Sequence, residues 1–515
     1  MAALFDIPTS RRDDTEILKK AKKKKTSTTS RGGSIVSKIN AIQAMVEKHL
    51  GKYADETLII QDEQTLIDYI NKAIENGKIS IDTETMGLDP LVDDIVGPCI
   101  YTAGMKTAYV PINHKSYVTG MKCKNQLSRE FVSQQFQRLA DAGTKIVMFN
   151  APFDLRQIKH NLGVVLHCWW DCKVGSRCLN ENELKGQGGL KKLHQKYVLK
   201  GKEDAFKFDE LFSGITFDLV PIKCGGLYAA HDAKITWEYQ EYQEQFLYYD
   251  PTCSAEDRNG MNGVSWVFFN IEMPMVDVIV ELEDNGVVFD FEYNDFLKEK
   301  YHKLLSEREE KFHEMCEMYR TEIDEYRGTV ALDNPINIKS SQQLSVLLYE
   351  IAKVEPVVDK KTKKPLISTK EEVLKALKHP LADAILDYRE FSTIVSTFID
   401  KLPNCVNSKD GRVHCNFNQY GADTGRMSSS NPNMQNIPSH NKDIRKMFKA
   451  TDKEYDVFSD DNCFEISRYS EILCSNSWIY AEKLQCGDMI DVDGEPCEIE
   501  SIECSGDKLR IHIVG

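Results

Sequence analysis

Three short stretches carry side chains that can do chemistry. In SIDTET, Asp82 and Glu84 stand two apart in an apolar run. A strand turns successive side chains to opposite faces, so residues two apart share a face. Two carboxylates held that close repel each other unless a cation lies between them. FNAPFDLRQIKH spaces Asn150 and Asp154 four apart, and LYAAHDAKITWEY does the same for Tyr228 and Asp232. That spacing puts both members of a pair on one face of a helix. Each stretch also has an ordinary explanation: a surface D-x-E strand, a capping Asn150 with an incidental Asp154, a packed Tyr228 with an exposed Asp232. As a set, the carboxylates are hard oxygen donors of the kind that suit Mg2+ or Mn2+.

The elements that must position these groups alternate between strand and helix over residues 56–245. TLIIQDEQTLIDYINKAIENGKISIDTET reads as strand, helix, strand. TKIVMFNAPFDLRQIKHNLG reads as strand then helix, with Asn150 as N-cap and Pro152 in the first turn. This is the pattern of an α/β domain. Ahead of it, residues 1–50 hold a polar leader with a basic run from Lys19 to Ser34, then a helix in SKINAIQAMVEKHLG that stops at a glycine. The leader reads as a solvated tail or, alternatively, as an arm that grips phosphate. After the α/β domain, DPTCSAEDRNGMN (250–262) reads as a linker. Charged amphipathic helices follow to about 405, and a strand-like region begins near Val406.

The 515 residues are enough for two to four domains, and 28% charged with 41% hydrophobic residues is ordinary for a globular chain. No apolar run long enough to span a bilayer and no signal peptide stand out, which points to the cytoplasm. Fifteen cysteines are scattered without a CxxC pair, so most should be buried thiols. CWWDC (Cys168 to Cys172) has ligand spacing but no second pair to complete a zinc site. A net charge of −15 disfavours nucleic-acid binding over the whole surface, while leaving room for a local basic groove.

Strand D-x-E, then N-x-x-x-D after a second strand, then Y-x-x-x-D on a later helix resembles the proofreading 3′–5′ exonucleases of the DEDD type. The stretch DCKVGSRCLNENELKGQGGLKKLHQKYV, with Asp171 opening a helix, also looks like those domains. The resemblance covers residues 56–245 and implies a ribonuclease H-like α/β fold. It implies that Asp82, Glu84, Asp154 and Asp232 hold two Mg2+ or Mn2+ ions, that Tyr228 orients the attacking water, and that Asn150 lies against a DNA 3′ end.

GADTGRMSSSNPNMQNIP (Gly421 to Pro438) resembles the signature of family A DNA polymerases, and IEMPMVDVIVELEDNGVVFD, INIKSSQQL and YREFSTIVSTFIDKLP resemble segments upstream of it. The likeness implies polymerase approach and thumb helices over 250–405 and the start of an α+β palm over 406–461. It gives DNA-binding roles to Arg426, Gln435, Asn436, Arg445 and Lys446. VFSDD sets Asp460 at the position of the first metal-binding aspartate of the palm. The family pattern then fails: no fingers helix and no second metal-binding aspartate follow, so this chain alone should not polymerise DNA.

From Cys463 the sequence resembles the start of an intein, a small all-β segment over 463–515 whose initial Cys463 would attack the Asn462–Cys463 amide. Asp461 and Asn462 leave the insertion point open. The economical reading is the N-terminal half of a split, proofreading, phage-type family A polymerase. A second polypeptide would bring the complementary intein half with the fingers and the rest of the palm, and trans-splicing would restore synthesis. The alternative is a truncated DNA-binding or assembly fragment whose exonuclease is only a scaffold. In either case the unfinished palm should expose apolar side chains.

Overall fold

The computed structural model describes residues 35–180, 188–201, 212, 215–254, 260–359, 362–421, 425–438, 441–449 and, within the last 53 residues, 463–467, 471–474, 477–480, 484–486, 489–492, 495–505 and 508–514. Two compact units divide the chain, Met1–Val280 and Glu281–Gly515.

The first unit is built on a mixed six-stranded sheet. Its strands are β1 (Thr57–Ile59), β2 (Lys78–Thr85), β3 (Ile95–Tyr101), β4 (Thr107–Tyr109), β5 (Lys145–Met148) and β6 (Cys168–Asp171), in the order β1-β4-β3-β2-β5-β6. β3 runs antiparallel to both β2 and β4; the other neighbours are parallel. Helix α1 (Ile35–Leu50) sends Ile39, Ile42, Val46 and Leu50 into the core on a 3-4-4 spacing, and Gly51 opens a 3-10 turn after it. Helix α2 (Glu63–Asn76) starts where the Asp62 carboxylate accepts from the Thr65 amide and stops at Gly77, whose φ of 67° is left-handed. It buries Leu66, Tyr69, Ile70 and Ala73, the stripe a surface helix turns to a sheet.

Four more helices complete the frame of the site: α3 (Arg129–Asp141), α4 (Ala151–Leu162), α5 (Cys172–Cys178) and α6 (Leu190–Tyr197). The long helix α7 (Ile222–Glu244) lies across the sheet. Two hydroxyls fasten it there: Ser80 Oγ of β2 donates to the Ala233 carbonyl at 2.6 Å, and Thr107 Oγ1 of β4 donates to the Ala230 carbonyl. Close approach is possible because a Cβ on Gly226 would already stand 3.0 Å from the Ile59 side chain. Cys168 and Cys172 are buried and direct their thiols at separate backbone carbonyls, Ile146 and Thr236. They behave as core thiols rather than as paired zinc ligands.

The sequence places a linker at 250–262, but the compact unit runs on to Val280. Trp170 on β6 packs against Phe268 with ring centroids 4.7 Å apart, and Met273 Sδ receives the Asp171 amide. The helical run Met261–Asn285 is also long and apolar enough to cross a membrane, contrary to the sequence reading; a third of its most apolar window is buried.

In the second unit the helix Phe291–Glu317 and the helix Pro380–Ile394 share two apolar clusters, one around Phe312, Leu344, Leu348 and Tyr388, the other around Phe289, Leu297, Phe398 and Ile444. Short antiparallel strands Arg412–Val413, Val287–Phe289 and Phe448–Lys449 form one small sheet, and Asn416–Asn418 pairs with Ser428–Ser430. Leu282, Val287, Phe291 and Phe296 are exposed. The described strands among residues 463–514 form a separate six-stranded sheet in which every pairing is antiparallel, and Cys463 lies in register with His512.

Candidate active site

β2 is an inner strand, hydrogen-bonded on both edges, so its side chains cannot slip register without displacing β3 or β5. That fixes Asp82 and Glu84 on one face. Asp82 pairs with Cys99 across β3, and Glu84 pairs with Gly97. Directly opposed residues share a face, and carboxylate oxygens of Asp82 and Glu84 and the Cys99 thiol all lie within 4.8 Å of one another. The thiol was not singled out from sequence; only the strand register reveals it.

Asp154 arrives from the first turn of α4. Its Oδ1 accepts two hydrogen bonds from Thr83, from the amide at 2.9 Å and from the hydroxyl at 2.6 Å. Asn150 precedes α4 with a left-handed φ of 67°, and its side chain does not cap the helix. The expectation of a capping Asn150 is thereby corrected. Asp171 takes that role: its two carboxylate oxygens accept from the amides of Asn150 and Ala151 while also capping α5 through Lys173 and Val174. The Asn150 side chain instead accepts from Lys173 Nζ at 2.8 Å.

α7 contributes Tyr228 and Asp232, both largely enclosed rather than packed-and-exposed as the ordinary explanation would have it. A third group joins them that sequence reasoning missed. Lys191, on α6, places its ammonium 3.0 Å from Asp232 Oδ1 and 3.9 Å above the Tyr228 ring. The signal available was the GGLKK turn, noted in the sequence only as part of the likeness to exonuclease domains; the role of Lys191 shows once α6 is seen against α7.

The electrostatics follow from this crowding. Burial, then Asp154, Asp232 and Glu84, raise Asp82 well above the carboxylate range. Burial and Asp232 push Glu84 to about 8. Burial raises Asp154 to about 7, with the two Thr83 hydrogen bonds acting against it. Burial, reinforced by Asp232, raises Tyr228, so the phenol keeps its proton. Four carboxylates from three elements thus sense one another in a poorly solvated space. That is costly without positive charge, and their oxygens are the donor type that divalent Mg2+ or Mn2+ prefers. The donor set fits such ions.

In the second unit, Arg426, Gln435, Asn436, Arg445 and Lys446 are all exposed. Ser429 and Asn433 hold the short turn that presents Gln435, both accepting from its amide. Buried Ile444 and Met447 anchor the segment that turns Arg445 and Lys446 outward. Asp460 lies outside the described residues. Cys463 opens the first strand of the C-terminal sheet.

Residues 57–242 match the family described as 3'-5' exonuclease, and residues 302–464 match DNA polymerase family A. The two matches follow one another along the chain, the exonuclease-like segment first and the polymerase-like segment second. The chain is 29% identical over 407 residues to DNA polymerase I of Chloroflexus aurantiacus, covering 76% of this chain and 39% of that protein. It is 28% identical to DNA polymerase I of Borreliella burgdorferi, covering 79% and 40%. A shorter stretch of 200 residues is 35% identical to DNA polymerase I of Bacillus subtilis, covering 38% of this chain and 21% of that one. The chain spans about two fifths of the length of the first two relatives. The fold is also similar to the POL domain of Pol1 from M. smegmatis, solved in complex with DNA primer-template and dNTP, with a TM-score of 0.53 and 18% identity over 79% of this chain and 60% of that one.

Proposed function

We propose that the first unit is a divalent-metal-dependent 3′–5′ exonuclease that removes nucleotides from DNA ends in the cytoplasm, as the proofreading part of a family A polymerase. The carrying observation is the convergence of Asp82, Glu84, Asp154 and Asp232 from β2, α4 and α7, inside the segment that matches the exonuclease family. The strand order β4-β3-β2-β5-β6, with β3 alone reversed, supports a ribonuclease H-like kinship.

In this reading the four carboxylates hold two Mg2+ or Mn2+ ions. Bound ions of this kind supply the charge that generates a hydroxide-like nucleophile and stabilises the leaving oxygen. The chain's own residues do the rest. Asp154, clamped by Thr83, stays fixed when the site fills. Tyr228, protonated, orients a water by hydrogen bonding rather than by taking its proton. Asn150, held by Lys173, faces the end of the strand. A 5′-labelled single-stranded DNA should shorten in Mg2+ and not in EDTA, and Asp82→Ala with Glu84→Ala should abolish the decay. An inert parent under those conditions would leave the scaffold alternative.

The second unit is read as the opening part of a polymerase, with Arg426, Gln435, Asn436, Arg445 and Lys446 facing primer-template DNA and Asp460 as the first metal-binding aspartate of the palm. A second reading concerns residues 463–515. Their separate antiparallel sheet starts at Cys463, where the polymerase likeness stops at residue 464. This supports an intein N-terminal segment with Cys463 as nucleophile; in this reading the polymerase is of phage type, and a second polypeptide brings the complementary half, the fingers and the rest of the palm. Co-expression with a frame encoding such a half should yield a ligated product by mass spectrometry, and Cys463→Ala should prevent it.

A further inference from the structure

Lys191 has no part in the chemistry above, yet its charge bears on Asp82, Glu84 and Tyr228 as well as on Asp232. It is not a wandering surface side chain. Its side chain is 21% exposed, its ammonium sits 3.0 Å from Asp232 Oδ1, and it lies over the face of Tyr228. The helix that carries it is tied to α7 a second time, where His194 Nε2 meets Glu238 Oε2 at 2.8 Å.

We propose that Lys191 is the built-in counter-cation of the four-carboxylate cluster and that it weakens the site's hold on divalent metal. This rests on the exonuclease reading of the cluster. An ion ligated by either oxygen of the Asp232 carboxylate would lie within a few ångströms of that ammonium. Two effects compete. Lys191 draws the carboxylates together, which favours binding, and it repels a doubly charged ion a few ångströms away, which opposes it. The first effect is small here, because the carboxylates are already positioned by contacts that do not involve Lys191: the Thr83 clamp on Asp154, the pairing of β2 with β3, and the Ser80 bond to α7. Repulsion therefore decides the sign. Lys191 keeps the cluster from being a tight metal trap and leaves it exchanging ions freely.

The test is a Mn2+ titration of the full chain after EDTA stripping, with free Mn2+ read by electron paramagnetic resonance, so that no turnover is needed. Lys191→Met and Lys191→Gln should bind Mn2+ about ten-fold tighter, the effect expected from removing one nearby like charge. Lys191→Arg, which keeps the charge, should bind as the parent does. A packing role for Lys191 gives the opposite sign, weaker binding in the Met variant. Circular dichroism checks that each variant folds, and the Gln variant carries the comparison should the Met variant fail to. Equal or weaker affinity in the folded variants overturns the proposal and leaves the exonuclease reading intact. Tighter binding in the variants, in a chain that never shortens labelled DNA, upholds the proposal and sinks the nuclease reading. A parent chain and variants that all bind no Mn2+ overturn both.

Discussion

Thr83 stands between the two acidic residues of β2 and gives both its amide and its hydroxyl to Asp154 Oδ1, at 2.9 and 2.6 Å. The strand that supplies two carboxylates thereby also fixes the third. Thr83→Val keeps the shape and the amide bond but removes the hydroxyl. A buried carboxylate that loses one charged hydrogen bond costs about 1–3 kcal/mol. The variant should melt several degrees lower and should cleave DNA about ten-fold more slowly, because Asp154 is free to rotate. Parental cleavage in the variant would mean that the amide alone positions Asp154.

Glu84 and Asp154 hold protons to about pH 8 and 7 in the folded chain, because burial dominates their surroundings. Unfolded carboxylates release theirs near pH 4. Between those limits the native state binds more protons than the unfolded state, so stability falls as pH rises from about 5 to 8. In EDTA the melting temperature should drop between pH 6 and 8. Mg2+ should restore it, by about 2.7 kcal/mol at a hundred times its dissociation constant, and more at pH 8 than at pH 6. Asp82→Asn with Glu84→Gln should flatten the profile and remove the Mg2+ response. A melting temperature in EDTA that climbs from pH 6 to 8 contradicts this assignment.

Asp171 serves the starts of two helices at once, accepting from Asn150, Ala151, Lys173 and Val174. A single lost cap costs about 1 kcal/mol. Asp171→Ala strands several buried donors together and should cost roughly 3 kcal/mol or more, read as a large fall in melting temperature. It should also lower cleavage, since Asn150 and Asp154 ride on the same helix start. A loss no larger than a single cap would show that water replaces the carboxylate.

Gly97 pairs with Glu84, and a Cβ there would lie 2.5 Å from the Val110 carbonyl and 2.6 Å from Tyr109 Oη. Gly97→Ala should cost about 1–3 kcal/mol, the usual range for overpacking, and should shift Glu84 with β3. Thermal melting and Mn2+ affinity should both move.

On the second unit, exposed Arg445 and Lys446 are expected to meet phosphates. Replacing both by Ala should weaken binding to primer-template DNA of any sequence and lower the salt slope by about two. An unchanged slope would remove them from the interface.

Much of the site was legible before any coordinates. Alternation along a strand put Asp82 and Glu84 on one face, and four-residue spacing paired Tyr228 with Asp232, because both rules are local. What failed was non-local. Asn150 looked like a cap, but Asp171, about twenty residues further on, supplies the capping oxygens through the neighbouring strand. Lys191 was not singled out from sequence, and only the docking of α6 on α7 makes it part of the cluster. Cys99 became visible through the register of β3 with β2. The apolar run after residue 260 gave no hint that Phe268 and Met273 would pack on Trp170 and Asp171.

The fastening of α7 has a consequence for how this domain can drift over time. Ser80 and Thr107 grip carbonyls of the helix, at Ala233 and Ala230, rather than any side chain. Main-chain carbonyls are supplied by every amino acid, so the helix face can change its residues generation after generation while the bolts that hold Tyr228 and Asp232 in place remain unchanged.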